Sequence, residues 1–103
     1  MEIEEIGLRL SKLREEKEVS ARDMSLSIGQ NAGYINSIET GKSLPSIPVL
    51  FYICEYLGIT VSEFFDMSTP SPSKLNDLIK DLRKLDNSQL EAVSNLVKQM
   101  TKK

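Results

Sequence analysis

Histidine and tryptophan are absent from the 103 residues of this chain, and cysteine occurs once, at Cys54. Without histidine the chain lacks the commonest general base and the commonest metal ligand of proteins. One cysteine allows no internal disulfide and no cysteine-based metal cluster, and it is typical of a reducing cytosol. No nucleophile stands beside a base in the local sequence. We therefore expect no enzyme, no metal and no cofactor, and we expect Cys54 to be a buried apolar residue.

Long hydrophobic runs are also missing. No run approaches the ~18 consecutive apolar residues of a membrane helix. The opening sequence MEIEEIG lacks the basic and apolar regions of a signal peptide. The length, with 40% apolar and 27% charged residues, indicates one compact domain with an appendage. We expect a cytoplasmic protein without membrane contact.

An excess of positive charge, typical of proteins that bind nucleic acids, is not present either, because the net charge is −2. Residues 1–65 contain six Lys and Arg against ten Asp and Glu, a balance of −4. The remaining residues contain seven against five, a balance of +2. Any contact with DNA would have to rely on a local patch, on helix termini and on backbone amides.

Apolar residues at helical spacing run through the whole chain and predict an all-α fold. Residues 1–66 are expected to form five helices, the first of them with Ile3, Ile6, Leu10 and Leu13 inward and its end near Lys17. Polar residues that favour helix starts are Ser20, Asn31, Ser46 and Thr60. Glycines that favour helix ends are Gly29, Gly41 and Gly58.

Two short predicted helices with a break at Gly29 and Gln30 occupy residues 19–41, which is the layout of a helix-turn-helix. The second helix of such a unit enters the major groove of DNA. Opposite its inward residues Ile35 and Ile38, this helix presents small or uncharged polar side chains, which suit close contact with base edges. These residues are Gly33, Asn36 and Ser37, flanked by Ala32 and Tyr34.

The region from about residue 5 to residue 66 resembles the lambda-repressor-like, or Xre, family of helix-turn-helix regulators. The opening helix IGLRLSKLREEK resembles the start of that family, and further marks follow at the expected spacing. These marks are Ser20, Ile28, Gly29, Tyr34, Ile35, Ile38, Glu39, Gly41, Lys42, Pro45, Ser46, Leu57, Gly58, Ile59, Glu63, Phe64 and Phe65. The resemblance implies a five-helix lambda-repressor-like domain that binds double-stranded DNA.

The resemblance also implies roles for individual residues. Arg14 and Glu39 match a structural ion pair of the family. Four residues match base-reading positions: Ala32, Gly33, Asn36 and Ser37. Asn31 and Lys42 match positions that meet phosphate, and Arg22 is a further nearby cation. The chain departs from the family at Ala21, where many members carry a glutamine that contacts DNA. The predicted DNA-binding residues are Ala21, Arg22, Asn31, Ala32, Gly33, Tyr34, Asn36, Ser37 and Lys42.

The segment MSTPSPS, residues 67–73, has the composition of a linker. Residues 74–103 are predicted to form a pair of amphipathic helices, the second of them capped by Ser88 and Glu91. Such a short pair cannot bury its apolar face alone and must pack on the first domain or on another copy. We favour dimerisation over folding back, because helix-turn-helix proteins usually bind two half-sites as dimers.

The sequence thus predicts a sequence-specific DNA-binding transcriptional regulator, a repressor, that reads the major groove with helix 32–39 as a homodimer. The alternative is an antitoxin-like or adaptor protein on the same fold, which binds a partner protein and holds DNA weakly. The net acidity and the uncharged recognition helix favour that alternative. Tyr52 and Tyr56, which lie off the core stripe, fit either surface residues or a partner site.

Overall fold

The computed structural model describes residues 2–68 and 72–102, and these residues form seven helices and no strand. The helices are α1 (Ile3–Glu16), α2 (Ala21–Ser27), α3 (Tyr34–Glu39), α4 (Ile47–Leu57), α5 (Val61–Phe65), α6 (Pro72–Leu82) and α7 (Asn87–Thr101). The predicted fold class, an all-α five-helix domain with a C-terminal helical extension, is confirmed. Below, α1–α5 are called the five-helix domain and α6 with α7 the C-terminal arm.

A single core holds the five-helix domain together. Ten hydrophobic side chains are buried in it: Leu10, Leu13, Met24, Ile35, Ile38, Ile53, Cys54, Leu57, Ile59 and Phe64. Each buried aliphatic or aromatic side chain of this size contributes roughly 1.5–3 kcal/mol relative to exposure. Ile3, predicted to point inward, is exposed because it lies a full turn before the point where α1 meets α3 at Gly7.

Helix α1 approaches the end of α3 so closely that only a glycine fits at the contact. A Cβ atom on the buried Gly7 would lie 2.6 Å from the Ile38 carbonyl oxygen and 2.8 Å from that of Glu39. Both neighbours are backbone atoms, which cannot turn away as a side chain can. The position of α3 in the domain is therefore set directly against α1.

Arg9 connects α1 to the end of α5 although it is a charged residue in a buried position. Its guanidinium donates to three carbonyl oxygens, those of Phe64 at 2.7 Å, Glu63 at 2.8 Å and Asp66 at 2.9 Å. A cation at a helix C-terminus is favoured by the exposed carbonyls and by the helix dipole. The sequence analysis did not assign this role to Arg9.

The predicted caps are correct for three helices of the five-helix domain. Ser20 accepts from the Asp23 amide at 2.9 Å and Ser46 accepts from the Val49 amide at 3.4 Å. Thr60 and Glu63 form the full reciprocal capping box at the start of α5. For α7 the predicted cap was wrong. Asp86 and Gln89 form the box there, two residues before the predicted Ser88 and Glu91.

The C-terminal arm begins earlier than predicted. Pro72 and Ser73, assigned to the linker 67–73, form the first turn of α6 and are buried against the five-helix domain. Residues 69–71 of that linker lie outside the described residues. Beyond Asn76 the arm extends away from the domain, and the chain has extents of 49 × 28 × 21 Å and a radius of gyration of 16.5 Å. A compact chain of this length would have a radius of gyration of about 13 Å.

Candidate nucleic-acid interface

Helices α2 and α3 and the turn between them form the predicted helix-turn-helix. Helix α3 begins at Tyr34, two residues later than predicted, with Gly33 at the N-cap position. Asn31 was predicted to be the N-cap, and that prediction was wrong. Its side-chain oxygen instead accepts from the Gly33 amide at 3.1 Å, and its carbonyl accepts from the Tyr34 amide at 3.1 Å. Asn31 therefore closes a turn that leads into α3, a conformation that asparagine favours because its side chain can bond to the backbone two residues later.

Ser25 fixes the start of α3 against α2. Its hydroxyl is fully buried, donates to the Ala21 carbonyl at 2.7 Å and accepts from the Ile35 amide at 3.0 Å. One of the free amides of the first turn of α3 thus has its partner on the neighbouring helix rather than on a local cap. The sequence analysis missed this residue. Its only signal was a small polar residue beside Met24 on the inward side of α2.

The far end of α3 is closed by Gly41, which adopts the left-handed conformation with φ +78°. The Gly41 amide donates to the Ile38 carbonyl at 3.0 Å and the Lys42 amide to the Ser37 carbonyl at 2.9 Å. This pair of bonds is the Schellman arrangement that ends many helices. It places the exposed Lys42 directly after the last turn of α3. Ser37 and Ser43 hydroxyls lie 3.0 Å apart at the same end.

Arg14 and Glu39 form a two-point ion pair between α1 and α3. Arg14 Nε lies 2.6 Å from Glu39 Oε2, and Nη2 donates to Oε1 at 3.0 Å. Nη1 donates to the Val19 carbonyl at 2.8 Å, so Arg14 also holds the segment before α2. The side chains are only 16% and 10% exposed. The hydrogen bond with Glu39 raises the pKa of Arg14 above its ordinary value, which outweighs the opposite effect of burial.

The predicted DNA-binding residues lie together around α3. Those that are exposed are Arg22, Asn31, Gly33, Asn36 and Lys42, and those that are half-buried are Ala21, Ala32, Tyr34 and Ser37. The Asn36 side-chain amide has no hydrogen-bond partner among the described residues, and it lies on the exposed side of α3. It is therefore free to pair with a ligand, whereas the backbone beneath it is held by Ser25 at one end and by the Arg14–Glu39 pair at the other.

A family model described as helix-turn-helix matches residues 10–64, which is more than half of the chain. The chain belongs to the helix-turn-helix family. The resemblance of the sequence to lambda-repressor-like regulators is thereby confirmed, and membership of this family supports a DNA-binding transcription regulator.

Among solved structures, the chain is similar to the clp gene regulator ClgR from Corynebacterium glutamicum. The sequence identity is 18% and the TM-score is 0.59, over 96% of this chain and 93% of that chain. At this identity the likeness shows the fold alone. It extends beyond the family match into the C-terminal arm. No curated protein matches the sequence.

Tyr34 of the helix-turn-helix is less available to a ligand than its predicted place beside the recognition face suggests. Its ring packs against the core, and burial raises the pKa of its phenol, with a smaller opposite effect from a backbone hydrogen bond at Ser46. Tyr34 therefore connects α3 to the start of α4, and only part of its ring faces outward.

An apolar ridge on the helix-turn-helix domain was also missed. Ile47 is 73% exposed and Phe51 is 58% exposed, one turn apart on α4, and Leu44 lies exposed in the loop before them. Their signal in the sequence was an apolar pair four residues apart outside the core stripe. Tyr52 and Tyr56 lie on another side of α4. A shallow groove there is lined by Ser27, Ile28, Tyr52, Glu55 and Tyr56.

The described residues contain no group of three or more acidic or cysteine side chains placed to hold a metal ion. None of the described helices has both the length and the apolarity needed to cross a bilayer.

Proposed function

We propose that this chain is a sequence-specific, cytoplasmic DNA-binding transcription regulator that reads the major groove with α3. The observation that carries the proposal is Asn36, whose free and exposed amide lies on a six-residue helix fixed at both ends. An asparagine on a recognition helix can bond in two places to adenine. Ala32, Gly33 and Ser37 around it are small enough to allow close approach of the helix to base edges.

Phosphate contacts in this proposal come from few charges. Arg22 and Lys42 are the exposed cations nearest to α3 in the sequence, and Ala21 and Asn31 add amide donors at the start of α2 and before α3. Neutral donors release fewer counterions than lysine and arginine do, so binding depends on salt only modestly. We expect a log–log slope no steeper than about −5 per dimer.

Binding to duplexes that the full chain selects from a random pool tests this assignment. Asn36→Ala should cost about 1–3 kcal/mol on the selected duplex and little on random DNA. Lys42→Ala should weaken both equally and flatten the salt slope by roughly 1. Asn95→Ala, an exposed asparagine on α7, is the matched control. An unchanged ratio of specific to random affinity for Asn36→Ala would show that α3 does not read bases.

The C-terminal arm supports a homodimer. None of the 15 residues of α7 is buried in the single chain, and a lone helix of that length is marginal in water. Six apolar side chains of the arm are 38–76% exposed: Leu75, Leu78, Leu90, Leu96, Val97 and Met100. A second copy would present the same face and bury both, as in other symmetric dimers.

Light scattering on the full chain at micromolar concentration tests the dimer. Val97→Glu should reduce the mass to that of a monomer, because the charge lies in the apolar face. Leu26→Glu is matched to it, since Leu26 and Val97 are both 50% exposed, but Leu26 lies on α2. A monomeric mass for the unaltered chain contradicts the arm-mediated dimer.

A dimer that covers two half-sites excludes other proteins from the DNA beneath it, and we therefore propose that the regulator is a repressor. A reporter gene placed behind the selected duplex tests the sign of regulation. Expression should fall when the chain is present and recover with Asn36→Ala.

A second function, an antitoxin-like or adaptor protein, is favoured by one observation besides the acidity of residues 1–65. The ridge of Leu44, Ile47 and Phe51 is an exposed apolar surface on the domain itself, the kind of patch that marks protein contacts. If Ile47→Glu leaves DNA binding intact and abolishes regulation in the cell, this second function is supported.

A further inference from the structure

The start of α6 is attached to the five-helix domain where α4 ends and α5 begins. The Pro72 ring is fully buried, α6 contacts α1, and the buried Ser73 hydroxyl donates to the Leu57 carbonyl, in the last turn of α4. The arm therefore leaves the domain through a packed contact, although the sequence predicts a linker over residues 67–73.

One turn later, Asn76 adds polar contacts to the same corner. Its side-chain nitrogen donates to the Gly58 carbonyl at 3.1 Å and lies 3.3 and 3.2 Å from the two carboxylate oxygens of Glu63. Glu63 is also the acceptor for the Thr60 amide at 2.9 Å in the capping box of α5. One carboxylate thus serves the start of α5 and the arm together. We call Ser73, Asn76 and Glu63 the arm junction.

We propose that the arm junction fixes the direction of the C-terminal arm relative to α3 and thereby makes the spacing between two DNA half-sites a determinant of binding. This inference rests on the proposed dimer. In a dimer held together by the arms, the distance between the two recognition helices depends on the angle at which each arm leaves its domain. With the junction broken, the buried Pro72 and the contact of α6 with α1 would still hold the arm near the domain, but no hydrogen bond would fix its angle, and the domains could adjust to several spacings.

The geometry of DNA makes the affinity of a rigid dimer depend steeply on the number of base pairs between the half-sites. Each base pair added between half-sites moves one of them by about 3.4 Å and turns it by about 35°. A dimer with a fixed arm cannot follow such a turn without breaking contacts on one half-site. A dimer with a loose arm can, at the cost of weaker binding to the best spacing.

The test uses the full chain and the duplex that it selects from a random pool, rebuilt with one to five extra base pairs between the half-sites. Wild type should lose at least tenfold in affinity with one added base pair, which is about 1.4 kcal/mol. Asn76→Ala and Ser73→Ala, each checked for folding by circular dichroism, should lose clearly less than wild type does. Asn95→Ala on α7 should behave as wild type. If wild type and both junction variants lose the same affinity with added base pairs, the inference is overturned. It is also overturned if wild type binds every spacing with the same affinity.

A measurement without DNA separates this inference from the proposed function. Spin labels at Lys17→Cys and Gln99→Cys, in a Cys54→Ala background diluted with unlabelled chain, report the distance between domain and arm. A narrow distribution that broadens with Asn76→Ala supports the arm junction. A broad distribution in the chain that retains Asn76 overturns the arm junction even if DNA is bound specifically. A monomeric mass in light scattering removes the dimer on which the inference rests and overturns it together with that part of the proposed function.

Discussion

Helices α1 and α7 are nearly equal in length, with 14 and 15 residues, and both carry apolar side chains at helical spacing. Helix α1 buries Gly7, Arg9, Leu10 and Leu13, whereas α7 buries nothing within one chain. Spacing of this kind predicts a helix and its apolar side in both cases. It does not say what covers that side, and for the arm the proposed cover is a second copy of the chain.

The two regions also differ in what their charges do. In the five-helix domain, Arg14 and Glu39 are largely buried and make two bonds to each other. In the arm, Lys84 and Asp81 lie 3.5 Å apart on one helical turn and are 77% and 73% exposed. Water screens the second pair and leaves the first nearly unscreened, so similar-looking pairs should contribute very differently to stability.

The largest effect is expected from breaking the buried pair. Arg14→Met leaves the Glu39 carboxylate and the Val19 carbonyl without their partner and should reduce the free energy of unfolding by about 3 kcal/mol. Lys84→Met, the same change in the arm, should reduce it by less than about 0.5 kcal/mol. Denaturant melts at one fixed protein concentration measure both. Similar values for the two variants would mean that the Arg14–Glu39 pair is effectively in water.

The next effect concerns the contact between α1 and α3. Gly7→Ala places a methyl group against two carbonyl oxygens and should cost about 1–3 kcal/mol of stability, although alanine is the better helix former. Gly33→Ala is the matched control, because the nearest atom to a Cβ there is 3.8 Å away and its φ of −95° suits any residue. It should be neutral within about 0.5 kcal/mol. A stability gain for Gly7→Ala would contradict the close approach.

These two predictions rest on residues whose partners lie far away in the chain. The pattern of residues does not predict such distant partners, and the Arg14–Glu39 pair was expected only from the family resemblance. The caps Ser20 and Thr60 were predicted because their partners are three residues away. The roles of Arg9 and Ser25 were missed because their partners lie 54 to 57 and 10 residues on. Nothing local distinguishes such a buried polar residue from an exposed one on the same helix.

Two local predictions failed for a different reason: the same residues allow two different local structures. Asn31 can cap a helix or close a turn before one, and it does the second. In the sequence DNSQLE, two capping boxes overlap, from Asp86 to Gln89 and from Ser88 to Glu91. The first forms. The recognition face itself, with Asn36 and Lys42 exposed, was predicted from the pattern of α3, and its contacts with DNA stay a prediction.

Hydrogen exchange compares α1 and α7 without any substitution. In a dimer held by the arms, the amides of α7 should exchange at least about tenfold more slowly well above the dimer dissociation constant than well below it. The amides around Leu10 and Leu13 should show no such dependence, because the core that covers them lies in the same chain. Slow exchange of α7 at every concentration would show that the arm packs on its own domain.

A smaller effect is expected from acid at the arm junction. The Thr60 amide, more than Asn76, lowers the pKa of Glu63 below its ordinary value of 4.5. A lowered pKa means that the ionised carboxylate stabilises the fold above pH 4.5 and that this contribution disappears as the pH falls through the lowered value. Wild type should therefore lose more stability between pH 5 and 3 than Glu63→Gln, which is already neutral. Parallel curves in thermal melts would contradict this.

The smallest effect on the fold, and a direct contrast between the two regions, comes from labelling cysteine. Burial on α4 raises the pKa of the Cys54 thiol to about 11, and the residue is 3% exposed. Because the thiolate is the reactive form, Cys54 should react very slowly with a disulfide reagent at pH 8 and rapidly in denaturant. Val97→Cys in a Cys54→Ala background places a thiol on the exposed face of α7. It should react quickly when the protein is dilute and more slowly when it is concentrated, because in the proposed dimer a second copy covers it. Fast labelling of Cys54 in the folded chain would mean that α4 separates from the core. Fast labelling of Val97→Cys at every concentration would mean that the apolar face of α7 stays open to solvent in the dimer.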